Sequence, residues 1–102
     1  MSPADAENGL ELDTLPVGAI VEVETKHHTY RVEYRGDGKA LVSGHPEYCP
    51  QPVLVDLFGS TLGGDIKLQV IQPGMRMLFF HPVFGAVSTS RVLHVSAGHS
   101  VH

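Results

Sequence analysis

From Leu15 onward hydrophobic and polar residues alternate one for one, the period of a β-strand and not of a helix. Val21 and Val23 alternate with Glu22 and Glu24, and Tyr30, Val32 and Tyr34 alternate with Arg31, Glu33 and Arg35. A turn centred on His27-His28 sets Thr25 opposite Tyr30, Val23 opposite Val32 and Val21 opposite Tyr34, all on one face. The other face then carries only Glu22, Glu24, Arg31, Glu33 and Arg35, with Glu24 opposite Arg31. One register satisfies both faces, and that agreement is how small cross-strand energies select a pairing.

The run Gly36-Asp37-Gly38-Lys39 is a strong two-residue hairpin signal, because both central residues tolerate positive φ. It folds the next strand back and sets Leu41 beside Tyr34. Alternation restarts at Val53, Val55 and Leu57. Residues 59–65 read as a glycine-rich loop, and Ile66, Leu68 and Val70 as the following strand. Leu57 then faces Ile66, Val55 faces Leu68 and Asp56 faces Lys67. Pro73-Gly74 fits the centre of a type II turn. Beyond it Met75, Met77 and Phe79 continue the inner face, and Arg76, Leu78 and Phe80 the outer one. Residues 82–85 break the chain again before a final strand over residues 87–95. A bulge near Ser90-Arg91 reconciles the parity of Val87 with that of Val92.

Roughly six short strands separated by turn signals predict an all-β antiparallel meander. In a chain of 102 residues, closing that sheet into a small barrel is the economical way to remove exposed edges. The expected fold is an SH3-like barrel, with an OB-type barrel or a minimal β-sandwich as alternatives. Residues 1–13 are expected to be a flexible, acidic N-terminal tail, residues 14–96 the single barrel domain and residues 97–102 a flexible C-terminal tail. The expected core is Val21, Val23, Val32, Tyr34, Leu41, Val55, Leu57, Leu68, Val70, Met77 and Phe79.

Composition narrows the function. The charged fraction is 18% and the hydrophobic fraction 42%, which describes a globular chain and not a disordered one. The net charge is −4 and the 7 Lys and Arg are scattered, so nothing tracks a phosphate backbone and nucleic acid is an unfavoured partner. The longest apolar run, Met77-Leu78-Phe79-Phe80, is too short to span a bilayer. A single cysteine forms no internal disulfide, which makes the cytoplasm the expected location.

The densest chemistry lies in residues 44–52, Gly-His-Pro-Glu-Tyr-Cys-Pro-Gln-Pro. Its prolines remove backbone donors and fix φ, so the stretch is a stiff loop. His45 and Cys49 are spaced as zinc ligands are, and His81 is a third candidate, giving a metal reading of His45, Cys49 and His81 with zinc as the ion. The second close ligand pair that zinc sites usually carry is missing. Cys49 as a nucleophile requires a neighbouring base and a depressed pKa, and this loop has no helix N-terminus behind it to supply one. No catalytic residue is assigned and an enzyme is the less favoured class.

The more telling feature is the outer face of the second half. Leu54, Phe58, Ile71, Leu78 and Phe80 point away from the inner set under these registers, whereas the outer face of the first hairpin is wholly polar. Either an N-terminal segment carrying Leu10, Leu12 and Leu15 covers this patch, or it is a protein interface. The sequence therefore favours a non-catalytic interaction or self-association module, with a protein partner or a second copy of itself. The loop residues His45, Tyr48, Cys49, His81 and Phe84 form a second expected binding surface. A metal- or small-ligand-binding barrel using His45, Cys49 and His81 is the alternative.

Overall fold

The computed structural model of the chain describes residues 9–98; residues 1–8 and 99–102, which fall in the expected tails, lie outside the described residues. Among the described residues nine strands follow in order: β1 (Leu10–Glu11), β2 (Ile20–Thr25), β3 (Thr29–Gly36), β4 (Lys39–Ser43), β5 (Val53–Leu62), β6 (Asp65–Leu68), β7 (Val70–Ile71), β8 (Arg76–His81) and β9 (Gly85–Gly98). A 3-10 turn spans Leu12–Thr14. Seven strands form one sheet in the order β4-β3-β2-β9-β8-β5-β6, and β4 also pairs with β5. That last pairing closes six strands into an antiparallel barrel and leaves β6 as an extra strand on β5. The all-β class and the small closed barrel are as the alternation predicts, within the SH3-like or OB-type size range. β1 and β7 pair with each other outside the main sheet.

The barrel is filled by the inward residues of every strand. Val21, Val23, Tyr30, Val32, Val42, Val55, Leu57, Met77 and Phe79 are all buried. Glu22, Glu24, Arg31 and Arg35 are exposed on the outside, as the alternation requires. Lys39 and Asp56 form an ion pair across the β4–β5 seam.

Several pairings differ from those read off the sequence, each for a local reason. The β2–β3 hairpin turns on Lys26-His27, giving Val21 opposite Val32 and Val23 opposite Tyr30. Thr25 clamps this tighter turn: its Oγ1 donates to His28 O at 2.6 Å and accepts from His28 N at 3.1 Å. The shift is by two residues, so the faces are unchanged. The Asp37-Gly38 turn forms as expected, but a bulge between Tyr34 and Gly36 inverts the parity beyond it. Ala40 and Val42 are therefore inside, and Leu41 leaves the core for the outer face opposite Leu54.

The largest correction concerns residues 59–65. Gly63 and Gly64 take φ of 59° and 94°, which suits a two-residue hairpin turn, so β5 runs on to Leu62. Thr61 then faces Ile66 and Gly59 faces Leu68, while Asp56 pairs with Lys39 and not with Lys67. Ile66 and Leu68 are consequently exposed, and Leu68 is no core residue. Gln69, at φ 61°, breaks the strand and flips the parity again. Val70 becomes half-buried, and Ile71, expected in the outer patch, is fully buried.

The Pro73-Gly74 turn closes through Met75 N donating to Gln72 O at 3.1 Å, and Met75, Met77 and Phe79 line the interior. The expected bulge is present: β8 advances from Leu78 to Arg76 while β9 advances from Ser88 to Arg91. A second one lies at Leu93, where β9 gains a residue on β2. At the N-terminal end, residues 10–13, expected in the tail, are part of the fold. Leu10 pairs with Ile71, and Leu12 is fully buried in the core.

Candidate functional site

Residues 44–52 join β4 to β5, which are neighbours in the barrel; the loop is thus a hairpin connection at the closing seam and not a crossing between separate halves. His45 and Cys49 form its internal bridge, with Gly44 N donating to Cys49 O at 2.9 Å and Cys49 N to His45 O at 3.1 Å. Within it the His45 imidazole acts as a turn cap. Its Nδ1 accepts from Glu47 N at 3.0 Å and from Tyr48 N at 3.2 Å. Pro46 suits that turn because its φ is already fixed and it has no N–H to satisfy.

The β8–β9 connection repeats this construction. His81 Nδ1 accepts from Val83 N at 2.9 Å and from Phe84 N at 3.2 Å, with Pro82 in the place of Pro46. His-Pro-Glu-Tyr and His-Pro-Val-Phe are the same turn, a histidine, a proline, one variable residue and an aromatic. The two turns are joined to each other. His81 Nε2 donates to Tyr48 O at 2.8 Å, which fixes the ring as the Nε2–H tautomer. Tyr48 and Phe84 meet edge to face with ring centroids 5.1 Å apart. His28, from the β2–β3 turn, extends the ring cluster, its centroid 4.6 Å from that of His45.

This geometry decides the metal reading. The Nδ1 lone pairs of His45 and His81 are each occupied by two backbone donors, and His81 Nε2 carries a proton. Cys49 is fully buried among core side chains. Among the described residues no group of three or more His, Cys, Asp or Glu could hold a metal ion. His45, Cys49 and His81 are therefore structural parts of two turns and a core, and do not make a zinc site.

Burial pushes the Cys49 thiol above its ordinary pKa, outweighing the hydrogen bond from the His45 backbone that acts the other way. A buried, protonated thiol is no nucleophile. Tyr30, lying under the same loop, is pushed up to about 12 by burial first, then by Cys49 and Tyr48. Both groups hold their protons more tightly folded than unfolded, so their contribution to stability is complete below pH 9 to 10 and is lost as pH rises towards 12. Urea unfolding between pH 8 and pH 11 is expected to show a steep loss in the wild type and a shallower one in Tyr30→Phe. Equal slopes in the two proteins would remove Tyr30 from the account.

Of the expected binding surface, His45, Tyr48, His81 and Phe84 are brought together, while Cys49 and His81 are buried and contribute no contact area. Phe84 and Val83 are exposed at the tip. Next to this end lies a cleft of about 170 Å³ lined by His27, His28, Tyr30, His45, Tyr48 and the hydroxyl residues of β9.

The outer patch is altered in membership and enlarged. Ile71 has left it for the core, where it pairs with Leu10 and joins the buried cluster that also holds Leu12. Leu54, Phe58 and Phe80 remain 49%, 37% and 45% exposed, with the Phe58 and Phe80 rings 6.2 Å apart. Leu78 lies beside them, half-buried. Gly59 pairs with Leu78 on one side and Leu68 on the other, so the hydrophobic face continues onto β6 through Leu68 and Ile66, 69% and 57% exposed. The sequence misses Ile66 and Leu68 because its register puts both on the inner face, Leu68 as a core residue; the signal available is Gly63-Gly64, which sets the register that turns them outward.

The chain matches no family model, no curated protein and no solved structure. Among the described residues no helix is long and apolar enough to cross a membrane.

Proposed function

We propose that this barrel is a non-catalytic interaction module whose docking surface is the outer face of β5, β8 and β6. The observation that carries the proposal is the continuous apolar face formed by Leu54, Phe58, Phe80, Leu78, Leu68 and Ile66 on a small barrel whose opposite hairpin is charged. Patches of this kind mark protein contacts, with aromatic anchors supplying most of the energy. Phe58 and Phe80 are those anchors. A cytoplasmic setting agrees with a lone cysteine kept in the core.

A benzophenone amino acid replacing Phe80 is expected to trap a discrete protein species on illumination in cell extract. The same probe replacing Arg35, on the polar face, is expected to trap none. Phe58→Glu should abolish the Phe80 product while leaving the melting temperature within a few degrees, since the side chain is already partly solvated. Identical patterns from positions 80 and 35 would overturn the proposal.

A further inference from the structure

β6 is the one strand of the main sheet that, among the described residues, has a neighbour on a single side. All four of its residues are exposed. Gln69 N donates to Phe58 O at 2.6 Å, so by strand alternation the N–H and C=O groups of Asp65 and Lys67 point at β5 and those of Ile66 and Leu68 point outward. An outward row of main-chain donors and acceptors next to an apolar face is a template for another strand.

The charges on β6 select which strand. When two copies of Asp65–Leu68 pair antiparallel about a twofold axis, the registers that set the charged residues of β6 against themselves or each other are centred on Asp65, Ile66 or Lys67. Centring on Asp65 sets the two aspartates opposite each other, and centring on Lys67 sets the two lysines opposite each other. Centring on Ile66 sets Asp65 opposite Lys67 of the second copy twice over, in the closely spaced, non-hydrogen-bonded position where cross-strand side chains interact best. Neither ion pair among the described residues uses Asp65 or Lys67. Lys67 Nζ reaches Gln72 Oε1 only at 3.4 Å, a long contact that it can exchange for a carboxylate. The Ile66-centred register also abuts the two outer faces, Ile66 meeting its own twofold mate and Leu68, opposite Gly59, continuing each face onto β5.

The geometry points to a second copy of this chain as the occupant of the docking face, joined through β6–β6 pairing centred on Ile66. This rests on the reading of that face as a protein interface and goes beyond it by naming the partner and the register.

Sedimentation of the whole chain at low salt tests it, combined with cysteine cross-linking. The wild type is expected to be a dimer. Ile66→Cys should form an intermolecular disulfide under mild oxidation. Leu68→Cys should not, because its two copies would lie about 13 Å apart along the strands. Wild type, whose Cys49 is buried, serves as the blank. Asp65→Lys and Lys67→Asp singly should each weaken the dimer about tenfold, and the double variant should restore it. These positions are exposed and remote from the core, so the variants fold. A dimer lost with Phe58→Glu but showing no cross-link at position 66 and no charge-swap rescue would overturn the inference while sparing the docking face. A monomer whose Phe80 probe traps a different protein would do the same. A monomer whose probe traps nothing would overturn both.

Discussion

Replacing Gly44 with alanine is expected to destabilise the barrel by upwards of about 3 kcal/mol. A Cβ at this position would lie 2.3 Å from Thr29 O and 3.0 Å from the Tyr30 Cα, and the residue's φ is 127°. Both obstacles are β3 main chain, which cannot swing aside as a side-chain end would, and a left-handed φ this wide is accessible to glycine alone. The strain falls where β4 hands over to the loop carrying His45 and Tyr48, so loss of stability and loss of the ring cluster should appear together. Gly63→Ala is the control. Its Cβ meets nothing within 4 Å and its φ is 59°, so about 1 kcal/mol is expected. Urea midpoints for the two variants measure the difference. Equal losses would mean that the β3 backbone yields at no cost and that the loop is not rigidly seated on it.

His81→Ala is expected to cost about 3 kcal/mol, and His81→Asn about half as much. The buried imidazole accepts from Val83 N and Phe84 N and donates to Tyr48 O, so it both caps its own turn and ties that turn to the neighbouring one. Alanine removes all three bonds and leaves a cavity. Asparagine can replace the Nδ1 acceptor with Oδ1, as in an Asx-turn, but cannot reach Tyr48. The difference between the two variants therefore isolates the cap, and the loss that remains in His81→Asn measures the link between the turns. His45→Asn, on a ring whose Nδ1 caps its own turn, should be milder than His81→Asn. If His81→Asn and His81→Ala are equally destabilised, capping contributes nothing and the Tyr48 bond accounts for the whole effect.

These two positions show where the sequence was legible and where it was not. That residues 44–52 form a stiff loop followed from its prolines alone. That the loop packs on Thr29 and Tyr30 did not, because Gly44 meets residues some fifteen positions earlier only after β3 and β4 have paired. His45 and His81 were singled out as metal ligands from residue type and spacing. Both nitrogens of interest turned out to be engaged by local backbone groups, and the repeated His-Pro-x-aromatic pattern that encodes this was visible in the chain.

By itself the sequence determined the β class, the inner and outer faces of the first hairpin, the turns at Asp37-Gly38 and Pro73-Gly74, and the inward set Met75, Met77 and Phe79. All of these depend on side-chain alternation or on residues whose own φ preferences dictate a turn, and such preferences act over a few residues. Barrel closure through β4–β5, the burial of Leu12 and Ile71, and the outward turning of Leu41, Ile66 and Leu68 were decided only by the tertiary structure. The reason is parity. Each bulge or left-handed residue, between Tyr34 and Gly36, at Gln69 and along β9, exchanges the two faces for everything beyond it. Whether such a step occurs depends on what the neighbouring strand offers as a partner, and that is a property of the assembled sheet.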